Sequence, residues 1–441
     1  MTKNLIKGIS RKSAAMIGYI SIYLLAVYVY KNSNFIEIWG YYGFNNEYST
    51  LRLITTLVIL CFLSWCLTFE RRFSVISLHA AVLLIVIPSC LLNVCAGASN
   101  YFLWATLCGY MTTATLVKLK YKVQIIDLSS KRFSQTDITK IILVIVFGII
   151  VLNYSQIGRV GVNFDIMKVY DLRSLTKDLL PTYLLYLNSW AAKAMIPFCV
   201  VMGLTRRSYF YTFIGIAFGV LLFSVTGHKA TLIFALLTPL MYFFAKSLEK
   251  RPQLTFLILV LTINTLLIAS FFDFHQEDRS GQNLIGTFLF RRALLIPALL
   301  NSFYIETFGI SHSYNYFTDK IPSFLGVSPI NIVSIPSIVG YRYFNSADTN
   351  ANTGWIGSGF AQAGFLGVLF YSSLMAFIFR IADVLTKKHG LPICLCVLAG
   401  PCLTMISSSD VFTGLITHGG FFAFIMLMIL PQQNVSTKTK N

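Results

Sequence analysis

Two stretches of this chain carry arginine in a pattern suited to anion capture. Arg159 and Arg173 fall in GRVGVNFDIMKVYDLRSLTKD, and Arg279, Arg291, Arg292 and Arg342 fall in a longer stretch further on. A guanidinium stays charged and offers paired donors that match phosphate oxygens. Arg159 and Arg173 either bind such an anion or are solvated charges paired with Asp165 and Asp171. Arg279 lies in HQEDRSG, where His275 and Asp278 stand close enough in sequence to act as a general base beside a bound phosphate or to cap a helix end. Arg291 and Arg292 interrupt an apolar run, and consecutive helical residues point about 100° apart, so at most one of them faces a given site. Glu306 is a further candidate base. His312, Tyr314 and Tyr316 follow in ETFGISHSYNYF, a combination that stacks on sugar faces or anchors at a membrane interface. Asn350, Asn352 and Thr353 can bond sugar hydroxyls or cap the next helix. Lys229 follows Gly227-His228 at a span end, where it meets a headgroup phosphate or snorkels. Lys193 lies within a span and either pairs with a carboxylate, loses its charge or snorkels.

Several chemistries lack their residues. No Gly-rich Lys-Ser/Thr loop, DxD pair, HExxH or CxxC occurs in the sequence. ATP, a nucleotide sugar and zinc are therefore not expected, nor any other cofactor or metal. The nine cysteines lie in or beside apolar segments and read as small fillers.

The elements that must position these groups are membrane helices. The chain has 441 residues, 56% hydrophobic and only 12% charged. A soluble domain is about 25% charged. Apolar runs of about 17 to 25 residues recur throughout, each long enough to cross about 30 Å of hydrocarbon as a helix. The expected fold is an all-α polytopic membrane protein forming one integral membrane domain over residues 1–441. About twelve spans are expected, near 14–30, 51–69, 73–93, 100–117, 141–156, 182–204, 209–226, 230–245, 254–272, 355–381, 391–408 and 412–430. The first run follows four basic residues, as a signal peptide's does, but is longer and has no small-residue cleavage site, so it reads as retained. Placing both termini in the cytoplasm puts 22 of the 35 Lys and Arg on the inside, as the positive-inside rule requires. The net charge of +18 is thus explained by topology, and nucleic acid is not an expected partner. Two outer loops result, at 155–181 and 274–354. Within the second, the segment 283–308 is apolar enough for an amphipathic or re-entrant helix, while Pro297 and the arginine pair argue against a full span.

FRRALLIPALLNSFYIETFG, NANTGWIGSGFAQAGFLG and the hairpin TGHKATLIFALLTPLMYFF resemble the oligosaccharide repeat unit polymerases, the Wzy-type O-antigen and capsule polymerases. The resemblance covers the whole expected topology. It implies a lipid-diphosphate-dependent glycosyltransferase of the bacterial inner membrane. Such an enzyme moves a growing glycan from undecaprenyl diphosphate onto an incoming lipid-linked repeat unit at the outer face. Lipid-linked glycans, membrane lipids and a chain-length regulator are the implied partners. On this reading Arg159, Arg173, Lys229, Arg279, Arg291, Arg292, Tyr314, Asn350 and Asn352 bind substrate. His312, Glu306, His275 and Asp278 are the base candidates, in that order. A regular Arg-to-Gly spacing described in the outer loops of some members is not reproduced here. The rivals are the O-antigen ligase, which shares donor and loop plan, and a flippase or other transporter.

Overall fold

The computed structural model describes residues 11–67, 70–119, 123–126, 128–129, 133–157, 164, 179–275, 283–320, 330, 333–346 and 349–432. Among the described residues the structure is helical and contains no strand. Each expected span contains helix among the described residues, and the chain is a multi-pass membrane protein by the length and apolarity of its helices. Nine helices among the described residues meet that test. They include Gly286–Ser311, which the sequence reading places in a loop. Of the other expected spans, three are shorter apolar helices, Thr50–Cys66, Leu391–Ser407 and Gly420–Ile429, and the one near 100–117 is the helix Asn100–Lys118, which is not among those that meet the test.

Contacts divide the chain into two compact units, one of residues 1–120, 250–379 and 403–411, the other of 121–249, 380–402 and 412–441. The first unit contains α1 (Arg11–Asn32), α2 (Phe35–Trp39), α3 (Thr50–Cys66), α4 (Phe73–Cys95) and α5 (Asn100–Lys118). Side-chain caps fix several helix starts: Ser49 accepts from the Arg52 amide and Ser99 from the Phe102 amide. In the second unit, α6 (Gln135–Ile157) packs beside α7 (Thr182–Thr205), and a hairpin joins α8 (Tyr209–Thr226) to α9 (Lys229–Lys250). Gly227, at φ +63°, closes α8 in the left-handed conformation that glycine accepts without strain. Asn153 and Asn188 bridge α6 and α7 with reciprocal amide bonds of 2.7 and 2.8 Å, satisfying two polar groups that hydrocarbon would otherwise leave unpaired.

In the first unit, α10 (Pro252–His275) runs parallel to α1. Gly18 lies against Phe256 and Val260, Asn264 donates to Ser21, and Tyr28 meets Phe271. The end of α4 is tied to the start of α5 by Asn93 donating to Asn100, and to the start of α3 by Ser49 donating to Val94. The ends of α1, α4 and α10 and the starts of α3 and α5 thus share one end of this unit.

The helix α11 (Gly286–Ser311) begins and finishes at that same end. Its first residue donates to Asp273 of α10 at 2.8 Å, and Gly309 lies against Tyr101 of α5. Long enough to cross a bilayer, it has both ends at this one end of the unit and so runs along that end.

Among the described residues three helices widen into π turns, Val82–Val86, Ala191–Met195 and Gly286–Leu295, each followed at once by Ile-Pro. A proline in a helix interior lacks its donor and crowds the carbonyl one turn earlier, and a bulge relieves that conflict. Lys193 and Arg291 both stand in such bulges.

After α12 (Ile335–Phe344) comes α13 (Trp355–His389), broken at Ala363 and Gly364. Gly364 takes φ +58°, and the eight residues before the break fold back on those after it: Trp355 donates to Ser372 at 3.1 Å. A Cβ on Gly367 would lie 1.9 Å from the Gly359 carbonyl oxygen, so the fold-back requires glycine there. Finally, α14 (Leu391–Ser407) precedes α15 (Val411–Ile416) and α16 (Gly420–Ile429). The segment read from sequence as one span at 412–430 is therefore interrupted, with His418 and Gly419 in the break.

Candidate functional site

The first unit holds a cavity of about 470 Å³. Its walls come from the linker after α2, the turn between α4 and α5, one face of α11 and Tyr343 of α12. Leu299, Ser302, Phe303 and Glu306 recur every three or four residues along α11, so one stripe of that helix faces the space. Phe303 stacks on Tyr343 at 3.8 Å and 5°. Asn45 and Ser99 add polar groups from the facing loops. Burial pushes the Tyr343 hydroxyl up to about 12, with the Glu306 charge adding to the rise, so it stays a proton donor at neutral pH.

Arg291 stands behind this cavity. Its side chain is 3% exposed, and the guanidinium lies 3.5 Å from the Trp39 ring and 5.0 Å from the Tyr42 ring. Tyr42 itself lines the cavity. No carboxylate is ion-paired with Arg291 among the described residues. Its Nε and the Trp39 indole nitrogen are buried donors with no hydrogen-bond partner. Buried unsatisfied donors are rare and costly, so a buried cation held this way is ready for an oxygen ligand. At Tyr41, burial outweighs the attraction of Arg291 and holds the phenol above its usual range. Arg292 points the other way and is exposed, with Phe288 beneath it at 5.8 Å. Neighbouring helical positions force that split.

Glu47 is a carboxylate that the sequence reading did not single out. Its amide donates to the Cys95 carbonyl at 2.8 Å, and its side chain packs over Gly97, which lines the cavity at φ +71°. A Cβ on Gly97 would lie 2.0 Å from a Glu47 carboxylate oxygen. No local pattern marks this pair, because a loop and a turn far apart in sequence create it.

The remaining candidates divide as follows. Glu306 and Arg291 are brought to the cavity region. Arg342 is exposed and lies 5.6 Å from the Tyr343 ring. His312 is exposed at φ +50°, and Tyr314 packs on Phe360, with Tyr316 beside it. Neither His312 nor Tyr314 lines the cavity. His275 is exposed at the end of α10, its ring on Phe271 and its Nδ1 against the Phe271 carbonyl. Asn350 and Asn352 are exposed before α13, whereas Thr353 is buried and donates to Asn301 at 2.6 Å. Asn301 also accepts from the Gly357 amide, so it caps the folded-back half of α13 from a distance. Lys229 starts α9 in the second unit, half-buried. Arg159, Arg173, Asp278 and Arg279 lie outside the described residues.

Residues 312–320 form a strap along the break in α13. The amides of Asn315 and Tyr316 donate to the carbonyls of Ala361 and Gln362. Lys320 pairs with Asp319 at 2.8 Å and with Asp410 at 3.5 Å, while Gln362 donates to Asp319 and Tyr371 to Asp410. Burial opposes the Lys320 charge, but the two carboxylates outweigh it and hold its ammonium above the usual lysine range. Among the described residues no group of His, Cys, Asp and Glu is arranged to hold a metal.

No protein-family model, curated protein or solved structure matches this chain. The class defined by the fold is that of a multi-pass helical membrane protein, and function rests on the site alone.

Proposed function

We propose that the protein is a polysaccharide polymerase of the Wzy type, acting on undecaprenyl-diphosphate-linked repeat units at the outer face of a bacterial inner membrane. The observation that carries the reading is Arg291, a buried cation with an unsatisfied donor, set beside a cavity that Glu306 lines. In the reaction an acceptor sugar hydroxyl attacks the anomeric carbon of the donor glycan. The anomeric carbon–oxygen bond to phosphate breaks, and undecaprenyl diphosphate leaves. Glu306 takes the hydroxyl proton. Arg291, with the outer-loop arginines, stabilises the leaving diphosphate, an effect of about 3 kcal/mol per donor in preorganised sites. The reading includes twelve spans with both termini cytoplasmic, so that the cavity faces outward. It needs no metal or nucleotide.

A transporter is the second reading, and one observation in the second unit favours it. Lys193, in the α7 bulge, lies within electrostatic range of His418, in the break between α15 and α16, and Ser189 bonds the His418 ring at 3.3 Å. Ionisable groups at interrupted helices are frequent in transport pathways.

Deletion of the gene in its native strain, followed by gels of surface and lipid-linked glycan, separates these readings. Loss of the polymer ladder with one repeat unit still reaching the surface is the polymerase result. Polymer accumulating on undecaprenyl diphosphate means a ligase. Single units trapped inside, with no surface glycan, mean a flippase and overturn the proposal.

A further inference from the structure

We infer that the cavity on α11 is a sugar site that takes a neutral or amino-bearing residue and rejects an acidic one. It deepens the polymerase reading by naming the class of sugar presented there, and rests on that reading only for the sugar's role in the reaction. Four observations support it. The volume of about 470 Å³ lies in the range of small-molecule sites, about 300 to 1,000 Å³. The stacked pair Phe303–Tyr343 and the rings of Tyr41 and Tyr42 supply aromatic walls, against which the apolar face of a pyranose packs. Ser99, Ser302 and Asn45 supply hydroxyl and amide partners for ring hydroxyls.

The fourth observation is charge. Among the described lining residues Glu306 is the one charged side chain, and the Glu47 carboxylate sits directly over Gly97 of the wall. No lysine or arginine is among the described lining residues. Arg291 is stacked behind Tyr42, and Arg342 is exposed above Tyr343. A uronate in this cavity would meet the Glu306 carboxylate and no cation in the described wall, whereas an ammonium or a neutral ring would not be repelled. Arg291 is left for the diphosphate, so sugar and phosphate are recognised by different groups.

The test uses the full-length protein in nanodiscs and saturation-transfer NMR at pH 7 with galactose, glucosamine and glucuronic acid as probes. Galactose and glucosamine should receive saturation and glucuronic acid should not. Ser302→Trp, which fills the space from α11, and Ser99→Trp, which fills it from the facing turn, should each remove the signal in protein that unfolds within a few degrees of wild type. Glu306→Gln should narrow the preference for glucosamine over glucuronic acid about ten-fold, the scale of one charge–charge contact in a partly hydrated site. Equal saturation of glucuronic acid in the wild type, or a signal that survives both tryptophan variants, overturns the inference. Silence from all three sugars also overturns it, and leaves the polymerase reading standing if gene deletion still abolishes the ladder. A strain that keeps its ladder after deletion overturns that reading, while sugar binding remains decided by the spectra.

Discussion

At the scale of residues, Arg291 concentrates the chemistry because its charge is held without an acidic partner. A flat guanidinium lies on Trp39 and Tyr42, a contact that an ammonium on a flexible stem does not reproduce. Arg291→Ala should lower polymer formation about 100-fold, the usual loss when one preorganised donor to a developing anion is removed. Arg291→Lys should recover little of it, and Arg292→Ala should cost several-fold less than Arg291→Ala. Glycan ladders from a strain carrying each variant at equal protein level give the measurement. Full-length polymer in Arg291→Ala would remove this residue from the mechanism. The sequence showed that a pair of arginines broke an apolar run. Which of the two was buried depended on the phase of α11 against the α2 linker, which neither residue encodes.

At the scale of elements, two devices hold the site in place. Asn301 of α11 accepts from Thr353 and from the Gly357 amide, fastening the folded-back half of α13 to the helix that lines the cavity. Asn301→Ala leaves both donors unpaired in a buried setting and should destabilise the protein by about 1–3 kcal/mol per donor left unpaired, read as a lowered midpoint in thermal unfolding of the purified protein. The second device is the strap over the α13 break. Lys320 gains charge stabilisation on folding, since its ammonium is held above the usual lysine range. For a raised value the contribution is complete below the unfolded lysine value and is lost as pH rises through the folded one. The strap should therefore stay protected from hydrogen exchange between pH 7 and 9 and loosen only in strongly alkaline buffer. Lys320→Met should release it already at pH 7, and unchanged exchange in that variant would assign the strap's order to its backbone bonds alone. The glycines at 354, 357, 359, 364 and 367 were plain in the segment NANTGWIGSGFAQAGFLG. The break itself was not, because Gly359 and Gly367 also suit a straight helix packed on a neighbour, and only their mutual contact shows the chain folding back.

At the scale of the whole molecule, the fate of α11 decides how many crossings there are. Both its ends meet the same end of the first unit, at Asp273 and at Tyr101. Asn46→Cys and Ile310→Cys should therefore react with an impermeant maleimide from the same side of the membrane, and Arg71→Cys from the opposite side. Labelling of Asn46→Cys and Ile310→Cys from opposite sides would make α11 a true span and invert every later loop. The experiment also tests the charge balance used to orient the chain.

The sequence by itself determined the solvent and the secondary structure. Runs of apolar residues with so few charges can satisfy their backbone in hydrocarbon only as helices, and that constraint is local. It also displayed the rare groups, arginines, Lys193 and Glu306, because charge in an apolar chain stands out at any position. Only the tertiary structure decided which of these share a site. Glu306 faces a cavity because Tyr343 and the 96–99 turn stand opposite it, Glu47 packs on its wall because Gly97 has no side chain, and the helix at 286–311 keeps both ends at one end of its unit although its composition permits a crossing. Each of those outcomes depends on contacts between segments tens to hundreds of residues apart, and hydropathy, which sums over neighbours in sequence, carries no record of them.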